Sequence, residues 1–171
     1  MKQKYLSLLF LPIAMPLFAQ AQTSDVAATL AALPPFQMAL LFLGFVFISI
    51  GILSSGYSLS ISLSAYAACE RENRGTAFIP AVMPGSQGLY SFAISFLMIG
   101  KMADQPLQVA LAGVICGLPC LLSSMGQAKT AAACIKSINH GQMDQGQALL
   151  ATGVPELVAL TGLAGAFLVM G

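Results

Sequence analysis

Residues 147–170 read QALLATGVPELVALTGLAGAFLVM. A membrane-spanning helix needs about 20 mostly apolar residues. This run is long enough, and it carries one charged side chain, Glu156, directly after Pro155. The nearest acidic residue before it is Asp144, and none follows. Placing a carboxylate at mid-bilayer costs about 2.5–3.5 kcal/mol on insertion scales. A proton, a cation or a shell of hydrogen bonds must stabilise Glu156, and the rest of the chain is read outward from that requirement.

The remainder has the same character. Of 171 residues, 57% are apolar and 8% charged, where a soluble domain carries charge on roughly a quarter. Water is not the solvent of this chain. A net charge of +1 leaves no basic patch for nucleic acid and no acidic tail. Three further apolar runs cover residues 36–68, 79–102 and 107–137, with Pro34 and Pro35 favouring the start of the first helix. The polar breaks ERENRGT, ADQP and NHGQMDQG separate the spans. Connections this short make antiparallel neighbours. The predicted fold class is all-α and integral to the membrane: four transmembrane helices as two antiparallel hairpins, residues 36–103 and 104–171.

The N-terminus has the form of a targeting segment. MKQK is a basic leader, YLSLLFLPIAMPLF an apolar run, and Ala19 and Ala21 make an A-x-A cleavage pattern. Residues 1–21 are expected to be a signal peptide and 22–35 an extracytoplasmic segment. Pro12 and Pro16 interrupt the apolar run, so an uncleaved anchor is the alternative. Arg71 and Arg74 lie in the first break, Lys129 and Lys136 lead into the third, and only Lys101 flanks the second. The positive-inside rule puts the first and third breaks in the cytoplasm and both termini outside. In a bacterium, that is a multi-pass protein of the inner membrane.

The two hairpins read as copies. Leu53-Ser54-Ser55 recurs as Leu122-Ser123-Ser124, 69 residues on, and Gln87 stands 69 residues before Glu156. A duplication would put Gln87 in the second span where Glu156 sits in the fourth. The first span carries Gly51, Ser54, Ser55, Ser58 and Ser62; the third carries Gly113, Gly117, Ser124, Ala128 and Ala132. Small residues one turn apart let helices approach closely in lipid. They pack either within one subunit or around the inner circle of an oligomeric ring, whose outer helices hold the bulkier Phe92, Phe96, Leu157 and Phe167.

Polar groups gather at the depth of the carboxylate. Ser86, Gln87 and Tyr90 follow Pro84, and Gln127 lies in the third span. Pro84 and Pro155 lack an N–H, which frees the carbonyls of Pro80 and Ala151. Such oxygens are tolerated at membrane depth where they face protein or a polar site. A hydroxyl, two amides and one carboxylate make an oxygen cage for a hard monovalent cation. Each group can equally serve as a solitary interhelical hydrogen bonder, and Glu156 as a protonated donor.

MPGSQGLYSF, GQAKTAAACI and VPELVAL, in that order over four spans, resemble the K subunit, the duplicated ring proteolipid of V-type rotary ATPases. The similarity is best to the bacterial sodium-translocating type and runs from about Gly51 onward. The resemblance implies that Glu156 carries the ion. It implies a Na+ site formed by Glu156, Ser86, Gln87, Gln127 and the carbonyl of Met83, with Tyr90 closing it by a hydrogen bond to the carboxylate. It further implies a homo-oligomeric ring in membrane lipid, a stator subunit whose arginine displaces the ion, and central-stalk subunits docking on the cytoplasmic breaks. Pro155 is not universal in that family, and Val158 stands where some members carry an aromatic.

The full ligand set favours Na+ over H+, since a proton needs only the carboxyl. No organic cofactor and no phosphate-binding glycine loop is expected, so the chain is read as a non-catalytic subunit. Cys69, Cys116, Cys120 and Cys134 are read as packing residues and His140 as a solvated loop side chain. The alternative function is a small four-span secondary transporter exchanging protons for cations on a membrane glutamate; the absence of Trp and of aromatics flanking Glu156 weighs against gripping an organic cation. A purely structural membrane subunit is the third reading.

Overall fold

The computed structural model describes residues 31–171; the leader and most of the segment before the first span lie outside them. Helix α1 is Pro35–Ala67, α2 is Arg74–Val82, α3 is Ser86–Lys101, α4 is Pro106–Asn139 and α5 is Gln145–Met170. A 3-10 turn, Arg71–Asn73, leads into α2, and another, Met83–Gly85, joins α2 to α3. Together α2 and α3 form one span, so the described residues hold four helical spans long and apolar enough to cross a membrane. They contain no strand. The fold is the expected all-α membrane bundle.

Two boundaries differ from the sequence reading. The second span begins at Arg71–Arg74 rather than at residue 79, so most of ERENRGT is helical. Its first turns are exposed and Arg74 Nε donates to the carbonyl of Cys69 at 3.3 Å, so the polar residues extend the helix past its apolar run. The fourth span begins at Gln145 because Asp144 caps it. Asp144 Oδ1 accepts from the Gln147 N–H at 2.8 Å, and the Gln147 side chain accepts from the Asp144 N–H at 3.2 Å. This reciprocal box satisfies two N–H groups that have no partner inside the helix.

Helices α1 and α4 form the closest seam. A Cβ on Gly113 would lie 2.4 Å from the carbonyl oxygen of Gly44, and one on Gly117 would lie 2.3 Å from that of Phe47. With lipid on the outside, no hydrophobic force drives helices together, so such close van der Waals contact holds the seam. Helix α5 packs on α4 at Gly162, which faces the carbonyl of Ile115 and the ring of Pro119. Pro119 cannot donate to that carbonyl.

The buried interior has three layers. One apolar cluster holds Leu41, Ile48, Ile94, Met98, Cys116 and Ala166; the other, at the opposite end, holds Cys69, Ala77, Ala81, Ile135 and Ala148. Between them lies a polar belt in which Ser54, Ser55, Ser58, Gln87, Ser123, Ser124, Gln127 and Thr152 are all buried. The 3-10 turn in the second span is tied to α1: Ser62 Oγ donates to the carbonyl of Ala81 at 2.6 Å and Ser55 Oγ to that of Pro84 at 2.8 Å.

The ends are tied as well. Asn139 Oδ1 accepts from the Glu70 N–H at 2.7 Å and from Cys69 Sγ at 3.4 Å, so the first and third breaks share one end. At the other end the Lys101 ammonium donates to the carbonyl of Met170.

Candidate ion-binding site

Glu156 sits near the middle of α5, half-buried, at the edge of the polar belt. The helix runs through Pro155 without interruption. The Tyr90 hydroxyl, from α3, donates to Oε1 of Glu156 at 2.5 Å. Gln127 Nε2, from α4, lies 3.5 Å from Oε2. Both carboxylate oxygens therefore face donors from other helices.

Gln127 is the hinge of the network. Its Nε2 donates to the carbonyl of Thr152 at 2.7 Å, and its Oε1 accepts from Gln87 Nε2 at 2.6 Å. Gln87 Nε2 also reaches Ser123 Oγ at 3.2 Å, and Ser123 Oγ donates to the carbonyl of Pro155 at 2.6 Å. Gln87 Oε1 has no partner although the residue is fully buried. An unpartnered buried acceptor costs roughly 1–3 kcal/mol, and a cation is one group that would satisfy it. Among the described residues the other buried side-chain atoms without a partner are Ser58 Oγ and Ser91 Oγ.

The remaining expected residues lie one turn away. Ser86 Oγ donates to the carbonyl of Met83 at 2.9 Å, which places two oxygens side by side at the head of α3. Ser86 also faces the Tyr90 phenol. Tyr90, Gln87, Gln127 and Glu156 thus form one hydrogen-bonded cluster, and Ser86 joins it through Tyr90; the Met83 carbonyl is already engaged by Ser86.

Two members escaped the sequence reading. Ser123 lies one helical turn before Gln127, and Thr152 one turn before Glu156, so i, i+4 spacing from the two recognised residues was the available signal. Thr152 Oγ1 donates to the carbonyl of Ala148 at 2.7 Å and meets Met83 Sδ at 3.0 Å, which ties α5 to the second span below the site. The four cysteines are free thiols, with Cys116 and Cys120 Sγ 3.9 Å apart. Among the described residues no three His, Cys, Asp or Glu side chains cluster as for a transition metal.

This arrangement defines a multi-pass helical membrane protein with one hydrogen-bonded carboxylate inside its bundle. The family model of the ATP synthase C subunit matches residues 110–169, which covers most of α4, the capped break and nearly all of α5, Glu156 included. No curated protein matches the chain.

Proposed function

We propose that this chain is a rotor-ring subunit of a V-type ATPase, the K-type proteolipid, and that Glu156 carries one Na+ per chain during rotary transport. The observation that carries this reading is one hydrogen-bonded network, joined through Gln127, that holds a carboxylate with a donor on each oxygen and a buried amide oxygen, Gln87 Oε1, with no protein partner. The similarity of residues 110–169 to the C subunit of ATP synthase supports a ring and an ion-translocating role.

The cation is cargo. Glu156 supplies the charge, Gln87 Oε1 a neutral oxygen, and the adjacent pair Ser86 Oγ and Met83 O two more, while Tyr90 holds the carboxylate. Gln127 Oε1 and Met83 O each already accept one hydrogen bond, from Gln87 and Ser86, and each keeps a second lone pair for the ion. When the ion leaves, the carboxylate is left as an uncompensated negative charge, so a stator arginine drawn near Glu156 would displace Na+ by direct competition. The oxygen set favours Na+; H+ on the same carboxylate is the second ion it would carry. Side-by-side contacts between residues 69–70 apart, such as Ser54 with Ser124 at 2.9 Å, support two duplicated hairpins. The chain then contributes four helices and one ion seat. The apolar surface of α3 and α5, with Leu89, Val154 and Leu157 exposed, would face lipid, neighbouring copies and the stator. The break with Arg71 and Glu72 would lie in the cytoplasm of a bacterial inner membrane, against the central stalk.

Carbodiimide modification tests the reading. Glu156 is expected to be labelled selectively and protected by millimolar sodium. Labelling that ignores sodium but quickens in acid would assign H+ instead, and no labelling at all would leave a structural carboxylate. Purification as a monomer, without a ring, would point to the small secondary transporter.

A further inference from the structure

Two backbone carbonyls fix the direction of the hydrogen bonds around Gln87. A carbonyl oxygen only accepts, so the Ser123 hydroxyl must spend its single proton on Pro155 O, 2.6 Å away. Its lone pairs then face Gln87 and can only accept, which turns the Gln87 NH2 toward Ser123 at 3.2 Å. From the other side, Thr152 O holds the Gln127 NH2 at 2.7 Å, which turns Gln127 Oε1 toward Gln87 at 2.6 Å. Both N–H groups of Gln87 are thereby occupied, and its oxygen is the one atom left over.

We propose that Ser123 is a positioning residue for the ion seat: by taking a proton-accepting role toward Gln87, it locks that amide with its oxygen free for the cation. It also joins this amide to Pro155, the residue before Glu156, so the neutral ligand and the carboxylate-bearing turn are held by one hydroxyl. Ser123 touches neither the ion nor the carboxylate. With Ser123 removed, one N–H of Gln87 loses its acceptor and the amide pivots on Gln127 alone.

The proposal rests on the Na+ reading above, and the test separates the two. The assembled chain in detergent is labelled with carbodiimide at Glu156 over a sodium titration, for wild type and for S123A, S123C and S123T. Loss of its one neutral hydrogen bond to Gln87 predicts that S123A needs about two- to twelvefold more sodium for half-protection. S123C keeps the volume with a weak hydrogen-bonding group and is expected to shift the same way, which covers a failure of S123A to assemble. S123T, which restores the hydroxyl, is expected to regain wild-type protection. Wild-type protection with S123A and S123C unshifted would overturn the role of Ser123 and leave the ion seat intact. A wild type that sodium does not protect would overturn the Na+ reading and the Ser123 role with it.

Discussion

Gly44 of α1 and Gly113 of α4, 69 residues apart, cross backbone to backbone: a Cβ on Gly113 would come within 2.4 Å of the Gly44 oxygen. Neither main chain can yield as a flexible side chain would. Gly113→Ala should therefore force the seam apart and destabilise the bundle by about 1–3 kcal/mol. Gly126, where an added Cβ meets nothing within 4 Å, is the control. Thermal unfolding in detergent should show a lower Tm for G113A and no loss for G126A.

Tyr90 gives the carboxylate its shortest contact. Tyr90→Phe keeps the ring and removes the donor. Hydrogen bonds to charged groups contribute about 1.5–3 kcal/mol, so at least about tenfold faster carbodiimide modification of Glu156 is expected in low sodium, where the carboxylate is unprotected. An unchanged rate would show that the phenol does not restrain it.

Gln127 should be the most sensitive amide. Gln127→Leu leaves one Gln87 N–H and one Glu156 oxygen without their partner in a buried site. Each such loss costs roughly 1–3 kcal/mol. Both a lower Tm and loss of sodium protection are expected, whereas Ser62→Ala, which removes the bond to Ala81 and the longer ones to Leu59 and Ser58 in its own helix, should lower Tm slightly and leave sodium protection unchanged.

At the ends of the bundle, Asn139 holds Cys69, which is buried. Asn139→Ala should loosen the contact between the first and third breaks. Faster maleimide labelling of Cys69, measured by intact mass with Cys116, Cys120 and Cys134 replaced by Ala, would report it.

The spans were legible because each is a long apolar run ended by charge, proline or glycine, and length alone decides such cases. The start of the second span was not, because Arg74 and its neighbours lie on an exposed helical turn that hydropathy does not distinguish from a loop. Within the site, Glu156 announces itself as a charge where none is cheap, and Gln87, Tyr90 and Gln127 stand out among apolar neighbours. Ser123 and Thr152 did not, since a serine or threonine in a helix usually bonds its own preceding turn. The role of Ser123 depends on which carbonyl of another helix lies opposite, and that of Thr152 on which amide reaches its own carbonyl, facts of packing rather than of pattern.

The pairing of Gln87 with Glu156 across the repeat sets the coarseness of the proposed wheel. On the proposed reading an uncharged amide takes the place of a second carboxylate, so a loaded tooth would come round only once for every two hairpins. Each ion would then drive, or be driven by, a wide angular stroke, and a motor cut this way would trade throughput for leverage.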